Sequence, residues 1–218
     1  MESKMEVRDT DHSKKQLLSL INKTMRHDIL NDLTIINNNL EAYKDTKDEK
    51  LLDNALNAIE RSFELVKDMR ELENLVSAEN SHSLQPYNLK EVIESVAKRY
   101  HLAVNIEGDC VVIADKALTS VMDNIMGNAI KHGRADRIDV TIEIEDESDL
   151  CRVKIADNGL GIPQDMKERI FDEGFSSCGN NGLGLYIVRK TIERYGGDVR
   201  VDDNWPCGTV IILTLNLF

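Results

Sequence analysis

Residues 123–132 read DNIMGNAIKH, and they form the last part of a predicted helix (Lys116–His132). Asn124, Asn128 and Lys131 follow one another at steps of four and three residues, so they share one face of this helix. Amide oxygens can coordinate Mg²⁺, and a lysine ammonium can contact phosphate oxygens. A solvated helix face is the alternative, although two asparagines on one face are unexpected because asparagine is a mediocre helix former.

Two glycine-containing segments follow this helix in the chain. Asp157 ends a predicted strand and is followed by Gly159 and Gly161, so a carboxylate lies beside a tight backbone turn and could accept a bond from a base amino group. An ordinary turn is the alternative. The other segment, residues 179–185 (GNNGLGL), runs into a helix. Glycines there let backbone N–H groups approach phosphates at the helix N-terminus. The segment follows no strand and lacks Gly-Lys-Ser/Thr, which excludes a Rossmann site and a P-loop.

In this order and spacing, the three segments resemble the N, G1 and G2 boxes of the ATPase superfamily that contains histidine kinases, gyrase, Hsp90 and MutL. Residues 171–175 (FDEGF) resemble the F box of the kinases. The resemblance covers the chain from about Leu89 to the C-terminus. It implies a Bergerat-type α/β sandwich, with helices on one face of a mixed sheet, that binds ATP and Mg²⁺.

The same resemblance implies a role for each matching residue. Asn128 would coordinate Mg²⁺, Asn124 would be a possible further ligand, and Lys131 would contact phosphate. Asp157 would hold the adenine amino group, and residues 163–181 would form a lid over ATP. The remaining nucleotide-binding residues would be His132, Gly159, Gly161, Ile162, Phe171, Gly182, Leu183, Gly184 and Leu185.

The position four residues before Asn128 separates the branches of this superfamily. The hydrolases have a glutamate there to activate water, whereas this chain has Asn124. Asp123 is adjacent but points about 100° away around the helix. Without a general base at this position, transfer of the phosphoryl group to a protein is favoured over ATP hydrolysis.

The N-terminal half differs in character, because no glycine or proline occurs before Pro86. Its apolar residues recur at steps of three or four, which predicts a helix from about Asp11 to Tyr43 and a second helix from about Glu49. The polar residues 44–48 separate them, so an antiparallel hairpin is expected. A lone hairpin cannot bury both stripes, so we expect a homodimer in which two hairpins form a four-helix bundle. Packing of the hairpin on its own C-terminal domain is the alternative.

His27 is the candidate phosphoacceptor within the first helix. It lies two residues from both Met25 and Ile29 of the apolar stripe, or about 200° around the helix, so it is expected to face outward. A neutral imidazole is nucleophilic, and Asp28 could accept its other ring proton. By itself, such a histidine is usually an ordinary surface residue. The kinase-type ATP domain that follows it favours the phosphoacceptor role.

Residues 27–32 (HDILND) resemble the H box of the kinases, His-Glu/Asp-x-x-Thr/Asn-Pro, except that Asp32 replaces the proline. No proline kink is therefore forced below His27. The resemblance implies that Asn31 positions water for dephosphorylating a response regulator. Leu30 and Ile35 share the outward face with Thr34 and Asn38, which suggests docking of a receiver domain, unless bundle packing covers them.

Composition limits the remaining possibilities. The net charge of −12 argues against nucleic acid and against an anionic membrane surface. No apolar stretch is long enough to cross a bilayer, so a cytoplasmic location is expected, either as a free protein or as the cytoplasmic portion of a membrane-bound sensor. Cysteine spacing fits neither a zinc site nor a disulfide framework, so reduced thiols are expected.

The predicted architecture is α+β, a dimeric helical hairpin followed by an α/β sandwich. The boundaries are a disordered or signalling-helix remnant (1–11), the hairpin (12–80), a linker (81–87) and the ATP-binding domain (88–218). The predicted function is a sensor histidine kinase core that autophosphorylates His27 from Mg-ATP, passes the phosphoryl group to a response-regulator aspartate and dephosphorylates the regulator. A non-catalytic nucleotide-responsive scaffold and an ATP hydrolase are the alternatives.

Overall fold

The computed structural model describes residues 25–78, 84–100, 102–145, 148–175 and 182–218. The chain divides into two compact units, the first ending at Ala78 and the second beginning at Glu79. The predictions for residues 1–11, for the helix start near Asp11, and for residues 176–181 of the lid lie outside the described residues.

The first unit contains two helices, α1 (described over 25–46) and α2 (Glu49–Ala78). Only two residues join them. Lys47 takes a left-handed conformation with φ 54°, and the Asp48 carboxylate accepts a hydrogen bond from the backbone N–H of Lys50 at 3.1 Å. That bond satisfies one of the unpaired N–H groups at the start of α2. The predicted polar break and the start at Glu49 are confirmed.

The buried face of α2 differs in part from the predicted stripe. Its buried residues are Ala55, Ala58, Leu65 and Leu72. The spacing of apolar residues by three or four predicts a stripe on α2 that includes Ala55, Phe63 and Val66, yet Phe63 and Val66 are 72% and 54% exposed. The physical reason is that one partner helix covers only one face. A second apolar stripe therefore remains on the surface of the hairpin, and it includes Leu33 and Leu40 of α1 and Leu56, Phe63 and Val66 of α2.

The second unit is a mixed sheet with helices on one face. The five-stranded sheet has the order β2-β4-β5-β7-β6, and a separate two-stranded sheet pairs β1 with β3. The β2–β4 pair is parallel and the other pairs are antiparallel. The strands are β1 (Gln85–Asn88), β2 (Ala103–Glu107), β3 (Val111–Ala114), β4 (Arg137–Ile144), β5 (Leu150–Asp157), β6 (Asp198–Asp203) and β7 (Thr209–Asn216). The helices are α3 (Leu89–Tyr100), α4 (Ala117–Lys131), α5 (Gln164–Lys167) and α6 (Gly184–Arg194).

The core of this unit lies between the sheet and helices α3, α4 and α6. Strand β7 alternates buried and half-buried residues, as expected for a strand with one face against the core. Helix α4 is the most deeply placed helix, with eight buried residues. The largest fully buried side chains come from both layers, and they include Ile93, Met122, Met126, Ile138, Ile192 and Leu213.

Three features of the second unit differ from the sequence expectation. Residues 85–87, assigned to a linker, belong to β1. The sequence predicts one mixed sheet, whereas strands β2 and β3, which follow each other across a Gly-Asp turn, lie in different sheets. Strand β6 was not predicted, because its sequence, DVRVDD, is dominated by charge. In each case long-range pairing decides the structure, and a local pattern does not contain that information.

Candidate nucleotide and phosphoacceptor sites

Helix α4 presents its two asparagines on the part of its surface that the core leaves open. Asn124 and Asn128 are half-buried, whereas residues 121–123 and 125–127 are buried. The neighbouring carboxylate of Asp123 is buried and lies 3.3 Å from Arg99 and 3.1 Å from the Tyr100 hydroxyl, both on α3. This carboxylate is therefore engaged in packing α3 against α4, in agreement with the prediction that it points away from Asn124.

Asp157 lies at the end of β5, with its carboxylate held by the backbone. Its Oδ1 accepts hydrogen bonds from the N–H of Gly159 at 2.8 Å and of Thr209 at 3.2 Å. The side chain is buried. Burial raises the pKa of the Asp157 carboxyl, and the hydrogen bonds from Gly159 and Thr209 offset part of this effect. A buried carboxylate in a fixed orientation is suited to accept a hydrogen bond from a ligand amino group.

The end of α4 and the turn after β5 are joined through Gly133. The Gly133 carbonyl accepts a hydrogen bond from the N–H of Leu160 at 2.8 Å. A Cβ on Gly159 would lie 2.5 Å from the same carbonyl, so a side chain has no room there. The N–H groups of His132 and Gly133 both bond to the carbonyl of Asn128. The first and second motifs therefore lie side by side.

The third motif meets α4 at Asn124. Gly184 is the first residue of α6, and a Cβ on it would lie 3.4 Å from the Asn124 side-chain oxygen. Gly182 has φ 60° and packs against the backbone of Phe175, so a larger residue would be both strained and obstructed. The structure thus brings together residues of all three motifs that the sequence singles out.

The remaining predicted nucleotide-binding residues occupy different environments. Lys131 and His132 are exposed at the end of α4, and Ile162 and Leu185 are half-buried. Leu183 and Phe171 are buried, and Phe171 belongs to the hydrophobic core of the second unit. Phe171 therefore has little surface to offer a ligand.

Thr209 was not singled out from the sequence. Its backbone N–H and its hydroxyl both bond to Asp157, and its side chain is buried. The only local signal is the Gly208-Thr209 pair at the start of the last strand. The pairing of β7 with β5 brings this pair to Asp157.

The donor set fits a metal that is held mainly by nucleotide phosphates. No group of three His, Cys, Asp or Glu side chains that could hold a metal ion occurs in the described part of the chain. Mg²⁺ commonly keeps several waters and binds one or two protein oxygens together with substrate phosphates. The amide oxygen of Asn128 fits this mode of binding, with Asn124 on the same helix face.

His27 is 74% exposed on α1, as the apolar periodicity predicts. Its Nδ1 lies 3.3 Å from Asp28 Oδ1 and 3.4 Å from Asn31 Nδ2. A carboxylate accepts only from a protonated Nδ1, whereas an amide NH₂ donates only to an unprotonated one. The two contacts therefore belong to different protonation states, and the contact with Asp28 leaves the lone pair on Nε2.

Asp32 forms a polar link between the two helices of the hairpin. Its Oδ1 accepts hydrogen bonds from Arg61 Nη2 at 2.6 Å and Nε at 3.2 Å, and its Oδ2 accepts one from the Ser62 hydroxyl at 3.2 Å. The Asp32 side chain is 13% exposed and that of Arg61 is 36% exposed. Asp32, which replaces the proline of the H-box pattern, thus links α1 to α2 through hydrogen bonds five residues after His27.

None of the helices described is long and apolar enough to span a membrane. The described cysteines, Cys110, Cys151 and Cys207, are free thiols.

Family models match both halves of the chain. Residues 13–77 match the His Kinase A (phospho-acceptor) domain, and residues 114–218 match the histidine kinase-, DNA gyrase B-, and HSP90-like ATPase. The two matches occur in the order that the sequence predicts.

Several curated and solved proteins are similar. Sensor histidine kinase DpiB of Escherichia coli is 32% identical over 95 residues, which cover 42% of this chain and 17% of that protein. Sensor histidine kinase WalK of Bacillus subtilis is 26% identical over 213 residues, 87% of this chain and 35% of that protein. This chain therefore spans about a third or less of the length of these two relatives.

Histidine kinase ThkA, solved in complex with the response regulator protein TrrA, shares the fold. The alignment covers 96% of this chain and 66% of that chain, with a TM-score of 0.67 and 23% identity. Because a phospho-acceptor domain and a kinase-type ATPase domain follow each other in one chain, this protein belongs to the sensor histidine kinases of two-component systems, as their phosphoacceptor and ATP-binding core.

Proposed function

We propose that this chain transfers the γ-phosphoryl group of ATP to Nε2 of His27, and then passes it to an aspartate of a response-regulator receiver domain. The observation that carries the proposal is the contact of the Asp28 carboxylate with Nδ1 of His27. It supports the tautomer in which Nε2 bears the lone pair, on a side chain that is 74% exposed and accessible to a nucleotide.

Asp28 also has a role once the reaction begins. As Nε2 bonds to phosphorus and ADP leaves, positive charge develops on the imidazole ring. The Asp28 carboxylate, which accepts a hydrogen bond from the Nδ1–H group, stabilises this positive charge.

The nucleotide is held by residues of the second unit. Asp157 accepts the adenine amino group, and its buried carboxylate supports this assignment. Asn128 and Lys131 lie on α4 towards the phosphates, and the glycines at the start of α6 let backbone N–H groups approach them. Mg²⁺, when bound to Asn128 and the phosphates, supplies charge neutralisation.

Asn124 disfavours hydrolysis of ATP as the main activity. An amide cannot remove a proton from water, and the neighbouring Asp123 is engaged with Arg99 and Tyr100. The proposed reaction therefore depends on positioning and charge stabilisation, which dominate phosphoryl transfer in general.

Asn31 supports a second activity on the same face of α1. Its amide lies 3.4 Å from Nδ1 of His27, one helical turn away. An amide in this place could hold a water molecule for attack on the phosphoaspartate of a docked regulator. The proposal therefore includes removal of the regulator's phosphate.

The partners of the proposed reaction are a second copy of this chain and a receiver domain. The exposed apolar stripe of the hairpin, with Phe63 at 72% exposure, supports pairing of two hairpins into a four-helix bundle. Leu30 and Ile35, 57% and 39% exposed beside His27, support docking of a receiver domain. The similar kinase ThkA was solved in complex with a response regulator.

The test is incubation of the full chain with Mg²⁺ and ATP labelled on the γ-phosphate. We expect a phosphoprotein that is labile in acid, stable in base and lost in His27→Gln. The exposed substitution Lys44→Gln on the same helix is the control and should keep the label. Unlabelled wild-type protein would refute the proposal. In that case, released phosphate would indicate a hydrolase, and ATP binding without turnover would indicate a nucleotide-responsive scaffold.

A further inference from the structure

The turn between β6 and β7 folds over the end of β5. The side-chain amide of Asn204 donates a hydrogen bond to the backbone carbonyl of Asp157 at 2.8 Å. The backbone N–H of Asn204 bonds to the carbonyl of Gly208 at 3.1 Å and closes the turn. Gly208 itself packs against the Asp157 carbonyl, where a Cβ would have no room. The turn is therefore fastened to Asp157 at two points.

Asn204 takes the place of a strand partner. The β5–β7 ladder ends at the pair Ala156–Val210, so Asp157 lies beyond the last registered pair on this side. On the other side it still pairs with Ile138 of β4. The Asn204 amide donates to the Asp157 carbonyl at the point where the ladder with β7 ends.

The carboxylate of Asp157 depends on this support. Its Oδ1 is held by the backbone N–H groups of Gly159, in the turn after β5, and of Thr209, the first residue of β7. The position of the carboxylate therefore depends on three backbone segments, which are the end of β5, the turn that follows it and the start of β7. The Asn204 side chain ties the turn that precedes β7 to the end of β5. None of the three ATPase motifs includes Asn204.

We propose that Asn204 is a positioning residue for base selectivity. It holds the end of β5 so that the Asp157 carboxylate meets the 6-amino group of adenine. The inference rests on the proposed assignment of Asp157 to that amino group. It adds that the selectivity depends on the side-chain amide of a residue in the β6–β7 turn.

The experiment compares two nucleotides by calorimetric titration of the full chain. One is ATP, and the other is purine riboside triphosphate, which lacks only the 6-amino group. A hydrogen bond to a charged group contributes enough binding free energy for the wild-type protein to bind ATP roughly tenfold to a hundredfold more tightly than the analogue. We expect Asn204→Ala and Asn204→Asp to reduce this preference to about threefold or less, with triphosphate binding retained.

Two substitutions and one control separate positioning from a merely structural role. Asn204→Asp keeps the volume of the side chain and removes the amide donor, so equal loss of selectivity in both variants identifies the donor as the cause. Trp205→Ala, at a neighbouring side chain that is 90% exposed, should leave selectivity unchanged.

Three results would overturn parts of this scheme, and they are distinguishable. Equal weakening of both nucleotides in the Asn204 variants, with the preference intact, would mean that the turn is only structural. A lost preference in Asn204→Ala but not in Asn204→Asp would mean that volume matters and the donor does not. A wild-type protein without preference for ATP would remove the assignment of Asp157 to the adenine amino group.

Discussion

The link between Asp32 and Arg61 should contribute measurably to the stability of the hairpin. Exposed ion pairs contribute about 0.2–1 kcal/mol, and breaking a fully buried pair costs about 3–5 kcal/mol. With side chains 13% and 36% exposed, this pair lies between these limits. Its carboxylate accepts two hydrogen bonds from the guanidinium. We therefore expect a coupling free energy of about 1–2 kcal/mol, screened in part by solvent at the arginine.

A double-mutant cycle measures this coupling. Asp32→Ala, Arg61→Ala and the double variant are unfolded in urea and followed by circular dichroism at 222 nm. Chain concentration is held constant, because the stability of the proposed dimer would depend on it. Asp32→Ala should cost more than Arg61→Ala, since it also leaves the Ser62 hydroxyl without its acceptor.

The matched control is another ion pair in the same hairpin. Lys67 and Glu71 are four residues apart on α2, with their charged atoms 3.9 Å apart, and such pairs contribute about 0.3–0.5 kcal/mol. A coupling of Asp32 with Arg61 that does not exceed the control would refute the argument. It would show that the hydrogen-bond geometry adds nothing beyond an ion pair at 3.9 Å with a carboxylate of equal exposure, 13%.

Three further predictions concern the sites. Asn31→Ala should keep autophosphorylation and lose dephosphorylation of the regulator by at least about tenfold; an unchanged rate of phosphate release from a phosphorylated receiver would remove its assigned role. Because the pKa of Asp157 is raised above its ordinary 3.8, the ionised form, which is proposed to accept the adenine amino group, is lost at a higher pH than for an ordinary aspartate. ATP affinity should therefore fall as pH is lowered towards that raised value, and Asp157→Asn should abolish this dependence. The folding stability of the unliganded protein should depend on pH in the opposite direction. Because the pKa of Asp157 is raised in the folded state, the contribution of this carboxyl to stability decreases as pH rises above 3.8. Gly208→Ala, at φ 119° and against the Asp157 carbonyl, should destabilise the second unit by about 2 kcal/mol or more in thermal unfolding. Gly174→Ala, with φ 69° but nothing within 4 Å, should cost only the backbone strain of about 1 kcal/mol.

Local features were predictable where periodicity or capping chemistry determines them. The polar residues 44–48 predicted that the second helix begins near Glu49, and α2 begins at that residue. The outward orientation of His27 followed from its phase relative to the apolar stripe, and its side chain is 74% exposed. In both cases the information lies within a few turns of one helix.

The buried face of α2 was only partly predictable. The sequence has two overlapping apolar stripes, and periodicity alone does not say which of them faces α1. The structure buries Ala55 and Ala58 and leaves Phe63 exposed, because small residues allow the helices to approach closely. The larger side chains on the other stripe need a further partner.

The sequence by itself determined the family of this protein and the residues proposed for the centre of its sites. His27, Asn128 and Asp157 stand in motifs whose order and spacing are visible along the chain. Only the tertiary structure decided that Thr209 and Asn204 hold Asp157 in place. They lie 52 and 47 residues beyond it. The physical reason is that the pairing of β7 with β5 brings them to this position, and strand pairing depends on distant segments that no local pattern specifies.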